Sequence, residues 1–454
     1  VTWIAPDNIT LSQITGINLG LGLNPIPTFD WNRFVVWVDP LMMPYFTTFN
    51  TFIGSCIAFL TISGIYFTNS FYTSYLPINV NKPYDNMGLP YNISLVVDSR
   101  GIINETMYQA YSPPYLTASS ITQYMFFFAT YTATITYGFL YHWDELRMGF
   151  SDLINSFRPS KRGAVEQKRV LDVHNRLMKE YKEVPEWWYL IVLALAAVLG
   201  CVAISQWPTY TNPGVVFFGI AIALIFVVPI GIIMAMTGSE VSLNVLSEFI
   251  GGAWVEGNAL SMCFFKTYGY ITTHQALAFS NDLKVAHYLK IPPRITFAAQ
   301  MVPALVSSFV CVAVVQYQIR LEGICTAEAP FKFTCPNISS YFTSAVLWGT
   351  VGPKRLWGVG GLYAPTLVGF PVGVVAVLIV YFLQKKFPKS SALRALHPVV
   401  IMTGGYTYSP YNLSHVWPAV PVAWFSWIYI KKRFLGLWSK VGPIRHPPTV
   451  AAVS

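Results

Sequence analysis

The sequence predicts an all-α fold, a polytopic transmembrane helical bundle. Three observations carry that prediction: an apolar composition, long uncharged runs, and an uneven distribution of positive charge. Of 454 residues, 54% are hydrophobic and only 11% are charged, against about 25% charged in a soluble domain. A water-facing exterior cannot be built from so few charges without large apolar patches. No Asp, Glu, Lys or Arg occurs between Asp39 and Lys82, Glu105 and Asp144, Glu186 and Glu240, Arg294 and Arg320, Arg355 and Lys385, or Arg394 and Lys431. About 20 apolar residues span a bilayer core, so these runs predict spans at 41–66, 120–141, 187–207, 215–237, 295–317 and 362–383.

The net charge of +9 does not indicate nucleic acid, because the positive residues lie mostly in loops beside apolar spans. The segment 144–186 carries nine Lys and Arg, whereas 67–119 carries only Lys82 and Arg100. The positive-inside rule places 144–186 in the cytoplasm and 67–119 outside. The sequons at Asn92 and Asn104 fall in the loop assigned outside. A third, at Asn337, shares the loop 318–340 with Cys325 and Cys335, which are disulfide candidates if that loop is external. Cys56, Cys201, Cys263 and Cys311 lie in apolar stretches and are expected to be packed thiols. No basic segment followed by a short apolar core opens the chain, so no cleaved leader is expected. The stretch 11–27 is mildly apolar and Gly-rich; if it does not cross, the sequon at Asn8 lies inside.

Crossing arithmetic singles out two segments. The spans 187–207 and 215–237 return the chain inside, and the basic stretch 284–294 is also inside, so 238–283 must cross an even number of times. Residues 241–265 are too few for two full spans and contain Glu248, Gly251, Gly252 and Glu256. A re-entrant pair of half-helices fits that length, since broken backbone at membrane depth is tolerated where it lines a cavity. Residues 396–430 lie between the basic clusters at Lys385–Lys386 and Lys431–Arg433 and are interrupted by Pro398, Gly404, Gly405, Pro410, Pro418 and Pro421. They form a hairpin or a second re-entrant element.

The candidate chemistry sits in the first of these segments. Glu240, Asn244 and Glu248 at i, i+4 and i+8 make one polar stripe if the segment is helical. An acid at the centre of a membrane helix costs roughly 2.5–3.5 kcal/mol on insertion scales, so it persists where it faces a cavity, a substrate or a proton path. Glu248 and Glu256 are the proton-coupling candidates. Asn244, Lys266, Tyr268, Tyr270, Gln275 and Gln300 are the substrate-binding candidates: a cation, phenols and amides suit a carboxylate and peptide groups. The alternatives are that Glu240 caps a helix, that Glu256 sits at an interface, and that Lys266 snorkels from an aromatic belt. The segment 274–289 has mixed polarity and reads as a helix lying along the membrane surface, with His274, Asp282 and His287 solvated rather than metal ligands. Gly358-Val359-Gly360-Gly361 lacks the Lys and Ser or Thr of a phosphate loop, and Gly369-Phe370-Pro371-Val372-Gly373 is a weak match to a helix-packing spacing. No HExxH helix and no GxSxG elbow is present. The residues therefore point to no enzyme, no metal site and no cofactor.

Several motifs resemble the oligopeptide transporter (OPT) family. They are Asn212-Pro213-Gly214 ahead of a span, the run from Leu243 to Phe249, Phe265-Lys266-Thr267-Tyr268-Gly269, and Lys290-Ile291-Pro292-Pro293-Arg294. Trp348-Gly349-Thr350-Val351-Gly352-Pro353-Lys354-Arg355 looks like a later element of the same family, and Trp3-Ile4-Ala5-Pro6, Leu76-Pro77-Ile78-Asn79 and Tyr111-Ser112-Pro113 also fit. Ser239 and Glu240 stand where the family pattern has uncharged Asn and Gln. The resemblance implies proton-coupled uptake of short peptides across a membrane, the plasma membrane being the expected one, with glutathione or metal chelates as substrates in some branches. A non-transporting membrane receptor is the reading from a different class. The partners implied are a peptide, protons and the lipid bilayer, with no nucleic acid. The resemblance also implies more helices than this sequence holds: residues 1–440 are expected to form a partial OPT-type domain, and 441–454 a Pro-rich tail in place of a final helix.

The sidedness is testable. In a glycosylating host, Asn92 and Asn104 are expected to carry glycans that a glycosidase removes, and a tag inserted near residue 160 to be reached by antibody only after permeabilisation. A tag labelled on intact cells would reverse the assignment.

Overall fold

The computed structural model describes residues 4–26, 30–156, 173–326, 328–330 and 338–445. Among them the regular structure is helical, joined by loops holding only isolated β-bridges. The first four long helices are α1 (Tyr45–Phe67), α2 (Ala118–Tyr141), α3 (Glu186–Gln206) and α4 (Gly214–Thr237). A short helix, α5 (Asn244–Trp254), follows. Next comes α6, one continuous run through Ala259–Lys266, a π-helical Thr267–Ile271 and Thr272–Leu289. The remaining elements are α7 (Pro293–Ile319), α8 (Gly369–Lys386), the short α9 (Pro398–Gly405), and α10 through Ala419–Trp424, Phe425–Ile430 and Lys431–Arg433.

Among the described residues, five helices are long and apolar enough to cross a membrane: α1, α3, α4, α7, and α8 with its preceding turn from Ala364. The sixth expected span is a helix of full length, α2, but is too rich in Ser, Thr and Tyr to qualify by composition. Its hydroxyls face protein. Thr132 donates to the Phe370 carbonyl at 2.7 Å, Gln123 donates to the Tyr406 carbonyl at 3.3 Å, and the Ser120 and Ser409 hydroxyls meet at 2.8 Å. Helices α3 and α7 are the opposite case: most side chains of α7 are exposed and apolar, which suits lipid contact.

The two ends of the bundle are distinct. One carries the loop 67–119, which pairs with the turn after α5 through Ile103 N–H to Gly257 O at 3.0 Å and an Ile102–Asn258 bridge. The other carries the basic segments: Arg294 donates to Glu183 O at 3.1 Å, and the Tyr141 hydroxyl donates to Gln384 at 2.7 Å. Residues 16–22 lie at the loop end, tied to Asn79 and Asn412. The helix Ile9–Thr15, capped by Asn8, leads directly into them. Cys325 is disulfide-bonded, and its expected partner Cys335 lies outside the described residues. Of the four expected packed thiols, Cys56, Cys201 and Cys263 are partly buried, but Cys311 is exposed on α7.

The interrupted segments fall where the sequence places them, but neither is a stub that turns back. Gly238, at φ +72°, ends α4 in the left-handed conformation that favours glycine, beside Met43 and Pro44 at the basic end. The non-helical residues 239–243 and then α5 carry the chain to the loop end at Gly257. The return is a full-length helix: 31 residues of α6 span about 46 Å at about 1.5 Å each. The segment 274–289 thus continues this helix instead of lying on the surface. The second leg is built in the reverse order, with α9 first and the irregular residues 406–412 next, and α10 returns. It is the hairpin of the two alternatives. The boundary expected at 440 falls inside a helix, Leu435–Arg445.

Close helix approach at α2–α8 depends on the spacing that looked weak in the sequence. A Cβ on Gly369 would strike the Met125 carbonyl, and one on Gly373 the Ala129 carbonyl. Gly373→Val is expected to destabilise the detergent-solubilised protein by about 1–3 kcal/mol, as overpacking of a filled interface does, read as a lowered Tm against an Ala substitution at an exposed α7 position. An unchanged Tm would mean that the helices are not held at this distance.

Candidate functional site

The break before α5 leaves a helix N-terminus inside the bundle without a side-chain cap from its own sequence, because Leu243 precedes it. Tyr131, midway along α2, takes that role. Its hydroxyl donates to Ser242 O at 3.1 Å and accepts from Leu246 N–H at 3.1 Å, so one phenol serves both the non-helical link and the first turn. The other wall is the segment Ala345–Val351. Trp348 is fully buried and stacks on Trp357 with ring centroids 4.4 Å apart. It also meets Tyr124 and Phe249 edge-on. A Cβ on Gly252 would collide with the Trp348 carbonyl, so only glycine lets α5 seat against this wall.

Three acidic residues stand along this leg, and each has a basic partner. Glu248 is 1% exposed and lies 2.7 Å from Lys266 Nζ, whose side chain is 18% exposed. Glu240 meets His274 Nδ1 at 2.7 Å. Glu256 lies at the loop end, 3.2 Å from Lys354. Next to it Arg355 holds Glu105 at 2.9 Å, and hydrogen bonds from Gln109 and Arg355 keep the Glu105 carboxyl below its ordinary range. Because residues 239–243 are not helical, Glu240, Asn244 and Glu248 do not form the single helical stripe that their spacing suggested. Glu240 and Glu248 nevertheless reach positions eight residues apart on one helix, His274 and Lys266 of α6.

The buried pair is the centre of the site. Burying two charges is expensive unless geometry and further hydrogen bonds compensate, and polar atoms on the two legs remain unpartnered: Asn244 Oδ1 one turn before Glu248, Ser247 Oγ and Ser261 Oγ. Lys266 also lies 5.8 Å from the Tyr341 ring. The π-helical turn follows Lys266 directly, a device common at functional sites.

The structure gathers Asn244, Glu248 and Lys266 here, and places Tyr270 lower, beside His274 with ring centroids 6.0 Å apart. It separates the others. Tyr268 packs into the space left by Gly200 and Gly219 on α3 and α4. Gln275 is exposed, and Gln300 donates to Phe279 O at 3.4 Å. The sequence reading missed Tyr131, Tyr124 and Trp348, and took His274 as solvated. The hydroxyl-rich, charge-free character of 118–141 was the available signal for the tyrosines; nothing in the sequence paired Glu240 with His274.

The family motifs have architectural roles. Asn212 caps α4 through Gly214 N–H at 2.8 Å, with Pro213 at the turn. Lys290, at φ +62°, ends α6 and its Nζ lies 2.6 Å from His174. Ile291 is hydrogen-bonded back to Ala286, Pro292 and Pro293 start α7, and Arg294 ties that start to Glu183 and Trp188.

These features define an integral-membrane helical bundle with broken helices and an ion pair buried at membrane depth. The model of the OPT oligopeptide transporter protein family matches residues 1–445, and the chain belongs to that family, whose members are transporters rather than enzymes. It is 34% identical over 97% of its length to "Sexual differentiation process protein isp4" of Schizosaccharomyces pombe, covering 54% of that protein. It is 33% identical over 97% of its length to "Oligopeptide transporter 2" of Saccharomyces cerevisiae, covering 51%. It is 32% identical over 96% of its length to "Glutathione transporter 1" of Schizosaccharomyces pombe, covering 50%. The chain thus spans about half the length of the curated relatives it matches. No solved structure matches it.

Removing only Lys266 leaves a buried carboxylate without a partner, so Lys266→Met is expected to cost about 3–5 kcal/mol of stability. The double variant Glu248→Gln with Lys266→Met is expected to recover most of it. Strictly additive losses in a thermal double-mutant cycle would show that the pair is not energetically coupled.

Proposed function

We propose that this protein is part or all of a secondary active transporter that moves short peptides across a membrane, coupled to protons. The observation that carries the reading is the Glu248–Lys266 pair, held between a broken leg and its return helix with unpartnered polar atoms beside it. Broken helices at membrane depth supply polar backbone where a solute must bind. A titratable acid buried there offers a place for a coupling proton. Peptide binding and protonation of Glu248 together permit the reorientation that exposes the site to the other side. Glu256 is the second acid that could serve, but it sits at the loop end against an exposed Lys354, where it acts on access to the site. Asn244, Lys266 and Tyr270 are the substrate-facing candidates. The outward-facing end is the one bearing 67–119, and the plasma membrane is the expected location.

Glutathione is the second reading, favoured by the relative named as a glutathione transporter. Competition by glutathione against labelled peptide separates the two.

In cells expressing the protein, uptake of a labelled short peptide is expected to rise as external pH falls. Glu248→Gln is expected to abolish accumulation above the external concentration while leaving peptide exchange. Full accumulation by that variant would refute the role of Glu248, and absence of peptide-dependent uptake or current at acidic pH would refute the transport reading.

A further inference from the structure

We propose that Lys266 exchanges its counter-ion during transport: the free C-terminal carboxylate of the peptide replaces Glu248 beside the Lys266 ammonium group, and Glu248 takes the coupling proton. This assignment rests on the peptide-transport reading and specifies its substrate class, peptides with an unblocked carboxyl terminus.

The argument begins from what surrounds the pair. Lys266 Nζ is 2.7 Å from Glu248 Oε1. The other acids of this region are held elsewhere: Glu240 by His274, Glu256 by Lys354 and Glu105 by Arg355. Besides Lys266, Tyr124 and Tyr131 on α2, Tyr341, and Cys263 on α6 are among the described titratable groups that interact electrostatically with Glu248. Phenols and thiols are neutral at physiological pH. The cations on the next element packed against α5, Lys354 and Arg355, are already engaged. Among the described residues, the charge on Lys266 therefore depends on one carboxylate.

That dependence makes the two binding events conditional on each other. If Glu248 were protonated alone, a partly buried ammonium would be left without an anion, which is unfavourable. If a peptide carboxylate arrived alone, two anions would share one ammonium in a low-dielectric site, and like charges so close cannot both persist. When proton and carboxylate arrive together, the site holds one cation and one anion before and after. The proton ends on a Glu248 oxygen, no covalent bond of the peptide changes, and Glu248 becomes a neutral donor. Asn244 Oδ1, buried without a partner, supplies an acceptor for the peptide backbone. Among the described residues the other acids of this leg are paired, so once Glu248 is neutral a blocked amino terminus is tolerated.

The test compares one short peptide in three forms at acidic external pH: free, N-acetylated, and C-terminally amidated. In the wild-type protein the free and acetylated forms are expected to enter with similar efficiency, and the amidated form at least about 100-fold less efficiently and without proton flux. Glu248→Gln is expected still to prefer the free carboxylate but to lose the pH response. The double variant Glu248→Gln with Lys266→Met, which leaves no unpaired charge to disturb folding, is expected to accept free and amidated forms alike. Equal wild-type uptake of amidated and free peptide, or rejection of the acetylated form instead, would overturn this assignment and leave the transport reading standing. Failure of all three forms to enter would overturn both.

Discussion

A charge buried in a membrane bundle must be matched by another, and the local architecture around Glu248 serves that requirement. The pair with Lys266 joins two legs that run in opposite directions, so it forms only if their register is fixed. Tyr131 fixes the start of α5 from one side, and Trp348, seated against Gly252, fixes its end from the other. At the loop end, Ile103 pins the turn at Gly257. With both ends of an eleven-residue helix held, Glu248 has little freedom to find another partner, and the ammonium of Lys266 meets it at hydrogen-bonding distance.

The helices divide into two kinds by what their side chains must satisfy. Helices α3 and α7 need only be apolar, since lipid makes no directional demands. Helix α2 lies among α1, α4, α8, α9 and the broken leg, and its polar groups are complementary to backbone exposed by the irregular segments. Thr132, Gln123 and Tyr131 all answer carbonyls on neighbouring elements. A bundle with two broken legs needs such a polar spine, because each interruption frees backbone groups that lipid cannot satisfy.

The legible part of the fold was the part governed by length and hydropathy. The uncharged runs located the spans, and the distribution of Lys and Arg grouped the segments that the structure places at the same end. The site was half legible. Glu248, Asn244 and Lys266 stood out because polar residues at membrane depth are costly wherever they occur. Their pairing was not readable, because the stripe argument assumed helix through 239–243 and Gly238 ends the helix before it. Neither could local sequence show that Tyr268 turns away to fill the space left by Gly200 and Gly219, since that depends on which helices lie beside α6. The mixed polarity of 274–289 suggested a surface helix, and it arises instead from a helix with one face on protein and its lower end at the basic segments.

The polar spine also bears on how the chain is assembled. A span as rich in hydroxyls as α2 gains little from lipid by itself, while its partners at Phe370, Tyr406 and Ser409 lie 238, 283 and 289 residues further along the chain. The ribosome delivers α2 long before those groups exist. Helix α2 is therefore slow to acquire a stable place, and until its later partners arrive it depends on whatever shelters it during biogenesis.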